Sequence, residues 1–143
     1  MDTLTPAERS RNMAAIRSKG TTPELAVRRL VHRMGFRFRL HGHGLPGRPD
    51  LVFSSRRAVL FVHGCFWHQH PSGACKIVRL PKSNLYYWRG KLARNVERDA
   101  QNRASLRSLG WRVVVVWECS LRNEMKLAKR LRRFLVSKPS AMR

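Results

Sequence analysis

The sequence predicts an α/β fold, a mixed central sheet flanked by helices. Three observations carry that prediction. Segments with apolar residues at helical spacing alternate with short runs of strand period. Residues 111–117, WRVVVVW, are apolar on both faces, as a central strand covered on both sides must be. The 143 residues suffice for one domain with its own core and no disulfide staples.

The elements follow in order. Thr5-Pro6-Ala7-Glu8 reads as a capping box with Pro at the first helical position. The helix behind it carries Arg9, Arg11, Arg17 and Lys19 and few apolar residues, which suits either a helix lying on DNA or a solvated arm. Thr22-Pro23 opens a second helix, with Ala26, Val27, Leu30, Val31 and Met34 on one stripe and Gly35 as its stop. Phe36, Phe38 and Leu40 alternate with Arg37 and Arg39, the period of a half-buried strand. Residues 50–53 and 58–63 are apolar runs joined by the polar link 54–57, a hairpin pattern. Residues 85–109 form a long basic helix stopped by Gly110. After the strand at 111–117, Asn123 caps a last helix with the stripe Leu127, Leu131, Phe134 and Leu135. The expected domain is a single unit over 1–143, with residues 1–20 as a basic arm and 137–143 as a loose tail.

Charge narrows the function. There are 30 Lys and Arg against 8 Asp and Glu, a formal charge of +22 spread along the whole chain. Such a chain repels itself unless a polyanion is near, and phosphate backbones are the expected partner. No apolar run is long enough to span a membrane and no signal peptide opens the sequence. The cysteines number three, which fits reduced thiols in the cytoplasm, at the nucleoid if DNA is the partner.

The chemistry gathers in residues 47–70, GRPDLVFSSRRAVLFVHGCFWHQH. Asp50 opens one strand and His63 closes the next, so strand pairing brings them close. A carboxylate at that edge of a core is costly unless paired or bound to a cation, and a hard oxygen ligand suits Mg²⁺. The plain alternatives are a turn-capping carboxylate and a satisfied core histidine. Cys65, Cys75 and Cys119 with one histidine would complete a tetrahedral zinc site, and His68 and His70 compete for that place. Free thiols and a buried Cys119 are the alternative. The polar stretch 71–74 has almost no apolar content to hold it and needs such a clamp. Phe66, Trp67 and Trp88 either fill core space or wedge between bases.

The segments RSRNMAAIRSKGTTPE, LPGRPDLVF, FVHGCFWHQH, KLARNVERD and GWRVVVVWEC, from Arg9 to Cys119, together resemble the very-short-patch repair (Vsr) endonuclease family. That family is a branch of the type II restriction-endonuclease fold in which Asp…Glu-x-Lys has become Asp…Phe-x-His, here Asp50 with Phe61-Val62-His63. The resemblance implies a nick 5′ to the mismatched T of a T·G pair left by 5-methylcytosine deamination. It implies two Mg²⁺ ions and one structural Zn²⁺. Asp50 would bind Mg²⁺, with the Val62 backbone carbonyl as a second ligand; the family commonly has Thr there, and a carbonyl ligand tolerates Val. His63 and His68 would be the active-site imidazoles, with Glu24 and Asp99 as supporting carboxylates. His70 then joins Cys65, Cys75 and Cys119 around zinc, although the segment between His70 and Cys75 is longer than in familiar members. Phe66, Trp67 and Trp88 would intercalate beside the mismatch, and the N-terminal helix would reach the minor groove. The implied partners are mismatched duplex DNA, a cytosine-5 methyltransferase that creates the lesion, and mismatch-repair proteins. A mismatch lacks two-fold symmetry, which favours a monomer. The competing functions are a restriction-type nuclease at an unmismatched site and a non-catalytic basic zinc module.

Overall fold

The computed structural model describes residues 22–71, 75 and 83–137. Its elements run α1 (Thr22–Arg33), β1 (Arg39–Leu40), β2 (Leu51–Phe53), β3 (Ala58–His63), α2 (Leu85–Ser108), β4 (Arg112–Trp117) and α3 (Glu124–Val136). The capping box at Thr5, the basic N-terminal helix and residues 138–143 of the tail lie outside the described residues.

The sheet is mixed and four-stranded, in the order β1-β2-β3-β4. β2 and β3 form the expected antiparallel hairpin, Leu51 opposite Leu60 and Phe53 opposite Ala58. A tight helical turn at Ser54–Arg56 makes the link, and Arg57 closes it at φ 50°. β1 is shorter than its alternation predicts. Phe36 is buried and Phe38 packs edge-on against Phe53 at 6.0 Å, while Leu40 is exposed, so the apolar period reports burial only at its start. Hydrogen-bonded pairing covers only Arg39 and Leu40, opposite Val52 and Leu51.

β4 corrects a second expectation. It lies beside β3 in parallel, and among the described residues it is the last strand of the sheet, not a central one. Its apolar character on both faces has another cause. Val114 and Val116 face one core layer with α1 and α3, built from Val27, Leu30, Leu127 and Leu131. Val113 and Val115 face the other layer, with Leu106 of α2 and Trp111. Helices thus cover both faces of an edge strand.

The helices are made as the sequence suggests. α1 buries Val27, Leu30 and Val31 and stops before Gly35, whose φ of +89° suits only glycine at low cost. Asn123 caps α3, accepting the Lys126 N–H at 3.1 Å. Arg112 and Arg56 donate to the α3 carbonyls of Phe134 and Leu135 at 2.6 and 2.9 Å, satisfying groups left open at a helix end. One consequence of parallel pairing governs the rest. His63 and Trp117 are register partners at the same edge, so the loops leaving β3 and β4 must meet there.

Candidate active site and metal cluster

At that edge an open cleft of about 980 Å³ runs between the start of α1, the ends of β2 and β3, and α2. Asp50 stands just before β2, and the Val62 N–H donates to its Oδ2 at 2.7 Å. Burial pushes the Asp50 carboxyl up to about 7; the Val62 bond opposes this, the neighbouring Glu24 carboxyl adds to it, and Arg28 opposes it. Glu24 is itself 4% exposed. It pairs with Arg28 one helical turn on, and its Oε2 lies 3.3 Å from His41 Nε2. The buried Glu24 and the partly buried Asp50 are two neighbouring carboxylates, each disfavouring the charge of the other.

His63 closes β3 and is 4% exposed. Burial, and then the charge of His68, lowers its pKa to about 3, so the ring is neutral near pH 7. The His68 ring stacks on it at 3.8 Å, nearly parallel at 6°. His68 Nδ1 lies 2.6 Å from Asp99 Oδ2, the bond that fixes a tautomer and leaves Nε2 open. The two imidazoles and Asp99 bring their ligand atoms within 4.8 Å of one another.

Cys65, His70, Cys75 and Cys119 form a second group, their donor atoms also within 4.8 Å of one another. His70 Nδ1 lies 3.7 Å from Cys65 Sγ and 3.4 Å from Cys119 Sγ. Of the two competing histidines, His70 therefore sits with the cysteines and His68 with Asp99. Burial, first among several causes, lifts the Cys65 thiol to about 12, and burial lowers the pKa of His70. A neutral imidazole is ready to ligate. A buried thiol gives up its proton only when a cation replaces it. The donor set fits a zinc ion, and this cluster could hold one.

Phe66, Trp67 and Trp88 cluster beside the cleft, with ring centroids 5.1–5.8 Å apart. All three are partly exposed. Lys91 lies 5.9 Å over the Trp67 ring. Trp88 stands on α2 itself, and α2 ties down the loop that carries Phe66 and Trp67. Asn95 Nδ2 donates to the Trp67 carbonyl at 3.2 Å, Asp99 holds His68, and Asn102 lies against Gly47, where a Cβ would come within 2.9 Å of it. Asn95, Asp99 and Asn102 stand at i, i+4 and i+7, one polar stripe that organises two loops. The sequence reading missed Asn95, Asn102, Arg28, His41, Trp117 and Glu118. The helical spacing of the stripe was the available signal for the first two. Nothing local marks Arg28 or His41, whose importance comes from the Glu24 they surround.

Comparison with known proteins decides the family. The model of the family "DNA mismatch endonuclease Vsr" matches residues 1–74. A type II nicking enzyme, V.XorIIP of Xanthomonas oryzae pv. oryzae, is 54% identical over 134 residues, covering 94% of this chain and 96% of its own. The chain belongs to the Vsr DNA mismatch endonuclease family. The Vsr endonuclease of Escherichia coli is 44% identical over 121 residues, 85% of this chain and 76% of its own. The nicking enzyme V.NmeAIP of Neisseria meningitidis is 41% identical over 134 residues, 94% of each chain. As a member of the Vsr family, the protein is a DNA-nicking endonuclease, and DNA is its substrate. No helix among the described residues is long and apolar enough to cross a membrane.

Proposed function

We propose that this protein makes a magnesium-dependent nick in duplex DNA, 5′ to the mismatched T of a T·G pair, and so initiates very-short-patch repair. The observation that carries the reading is the meeting, in one cleft, of Asp50 with the stacked pair His63 and His68 and the Asp99 behind them. The four-stranded mixed sheet is read as a type II restriction-endonuclease-like core within one endonuclease domain over 1–143, with residues 1–20 as the arm on the DNA.

Each side chain then has a task. Asp50 and the Val62 carbonyl would hold magnesium, two ions in all, and the neighbouring carboxylates Asp50 and Glu24 fit such a cation. Bound there, magnesium supplies neutralisation of the charge that grows on the phosphate oxygens during in-line displacement. Glu24 supports Asp50 from α1. Asp99 keeps the proton of His68 on Nδ1, so Nε2 would accept the proton of the attacking water as its oxygen bonds to phosphorus and the P–O3′ bond opposite breaks, the leaving 3′-oxygen taking a proton from solvent. The neutral, almost buried His63 offers an N–H to the phosphate and a flat wall for His68. Zinc held by Cys65, His70, Cys75 and Cys119 would brace the loop that presents Phe66 and Trp67. Those rings and Trp88 would enter the stack beside the weak T·G pair, where unstacking costs least. A methyltransferase that makes 5-methylcytosine would create the lesion, mismatch-repair proteins would act in the same process, and the enzyme would work as a monomer in the bacterial cytoplasm.

One observation favours a second reading. The relatives at 54% and 41% identity are called type II nicking enzymes, without a mismatch in the name. Incubation with Mg²⁺ and duplexes carrying T·G, T·A or C·G at one position separates the two. Selective nicking of the T·G duplex is expected. Equal nicking of the matched duplexes would favour a fixed unmismatched site, and binding without any nick would rule out both.

A further inference from the structure

Trp117 has no part in either metal chemistry, yet it stands between them. It closes β4 and is the register partner of His63. Its ring stacks on His70 at 4.4 Å and 14°, and meets His63 edge-on at 5.2 Å and 74°. His63 in turn stacks on His68 at 3.8 Å. A continuous column of rings therefore runs from the cysteine–histidine cluster to the cleft. The next two residues tie the same corner. Glu118 Oε1 accepts the Cys65 N–H at 3.0 Å, and Cys119 enters the cluster.

The state of His63 makes this column matter. Its buried Nδ1 has no hydrogen-bond partner among the described residues. On that side no polar contact fixes the rotation of the ring, so packing by Trp117, His68 and Phe61 must do so. Trp117 is itself only half-buried, so it is not simply a core filler. We infer that Trp117 is a positioning residue for the nicking reaction: it seats His63, and through it the stacked His68, against the cysteine–histidine cluster, so that the metal state of that cluster is felt at the catalytic imidazoles. The inference rests on the roles proposed above for His63, His68 and the cluster.

The test compares W117L, which lacks a ring, with W117F, which keeps one, under single-turnover nicking with saturating enzyme. Zinc per chain and DNA affinity are measured on the same samples. W117L is expected to keep its zinc and its Kd but to nick roughly ten- to a hundredfold more slowly, the size of effect a misplaced group produces. W117F is expected to recover most of the rate. A W117L rate equal to wild type overturns the inference, and so does a loss of rate that only follows loss of zinc or of DNA binding. His63→Ala in the same assay separates the failures. If it nicks at the wild-type rate, the imidazole reading itself falls; if it is inactive while W117L is unimpaired, only the role of Trp117 falls. A measurement on the unaltered chain covers the case in which W117L does not fold. Exchanging zinc for cadmium, whose bonds to the ligands are longer, should shift the NMR signals of the His63 ring. Unmoved His63 signals overturn the coupling.

Discussion

At Asp50 the free energy of folding and the chemistry pull against each other. Burial raises its pKa from 3.8 to about 7, so the metal-free folded state holds a proton that the unfolded chain releases. The contribution of this group to stability therefore falls as pH rises from about 4 to about 7. His63 acts in the opposite sense, since its pKa is lowered to about 3 and stability is lost as pH falls below 6.5. Asp50→Asn removes only the first effect. Thermal melts without metal should show the variant gaining on wild type as pH rises, by an amount on the order of a few kcal/mol at pH 8. Mg²⁺ should stabilise wild type at that pH and leave the variant unmoved; equal stabilisation of both would exclude Asp50 as a ligand. Asp99→Asn makes a different prediction. It disturbs the tautomer of His68 without adding bulk, so the nicking rate should drop by about a hundredfold or more with DNA affinity kept. A full rate in that variant would mean that His68 does not act through this bond.

At the scale of elements, the described part of the loop after β3 meets β4 at the cluster, where Cys65 and His70 come together with Cys119. Cys119→Ser, or removal of the metal by a chelator, should lower the melting temperature and weaken DNA binding together, read by calorimetry and by binding titration. Unchanged melting would mean that the cluster is not a structural metal site. In the core, Leu131 is fully buried between α3 and the sheet, and Leu131→Ala should cost about 2–5 kcal/mol in denaturant unfolding. Elements of this kind were legible in the sequence because local signals specify them. The hairpin at 51–63, the Asn123 cap and the stop at Gly110 needed only turn chemistry and period. The place of β4 was not legible, since burial on both faces reports helices above and below a strand and says nothing about which strands lie beside it. Asp50 and His63 were readable because they end adjacent strands. Arg28 and His41 were not, because their meeting with Glu24 depends on how α1 lies on the sheet.

At the scale of the whole molecule, a charge of +22 on 143 residues makes binding strongly dependent on salt. Affinity for matched duplex should fall by roughly a thousandfold or more between about 50 and 200 mM salt, while the proposed selectivity for the mismatch, which would come from stacking and pairing, should change far less. Fluorescence anisotropy over a salt series reads both; a shallow slope would mean that few phosphates are contacted. The task proposed for Asp50 is a strand-selective cut beside a mismatch. It is tested most directly by a T·G duplex labelled on both strands, incubated with Mg²⁺ and either wild type or Asp50→Asn. Wild type should give one product, a break in the T strand 5′ to the mismatched T, and Asp50→Asn should bind the duplex and leave both strands whole. Cleavage of both strands, or nicking by the variant at the wild-type rate, would contradict it.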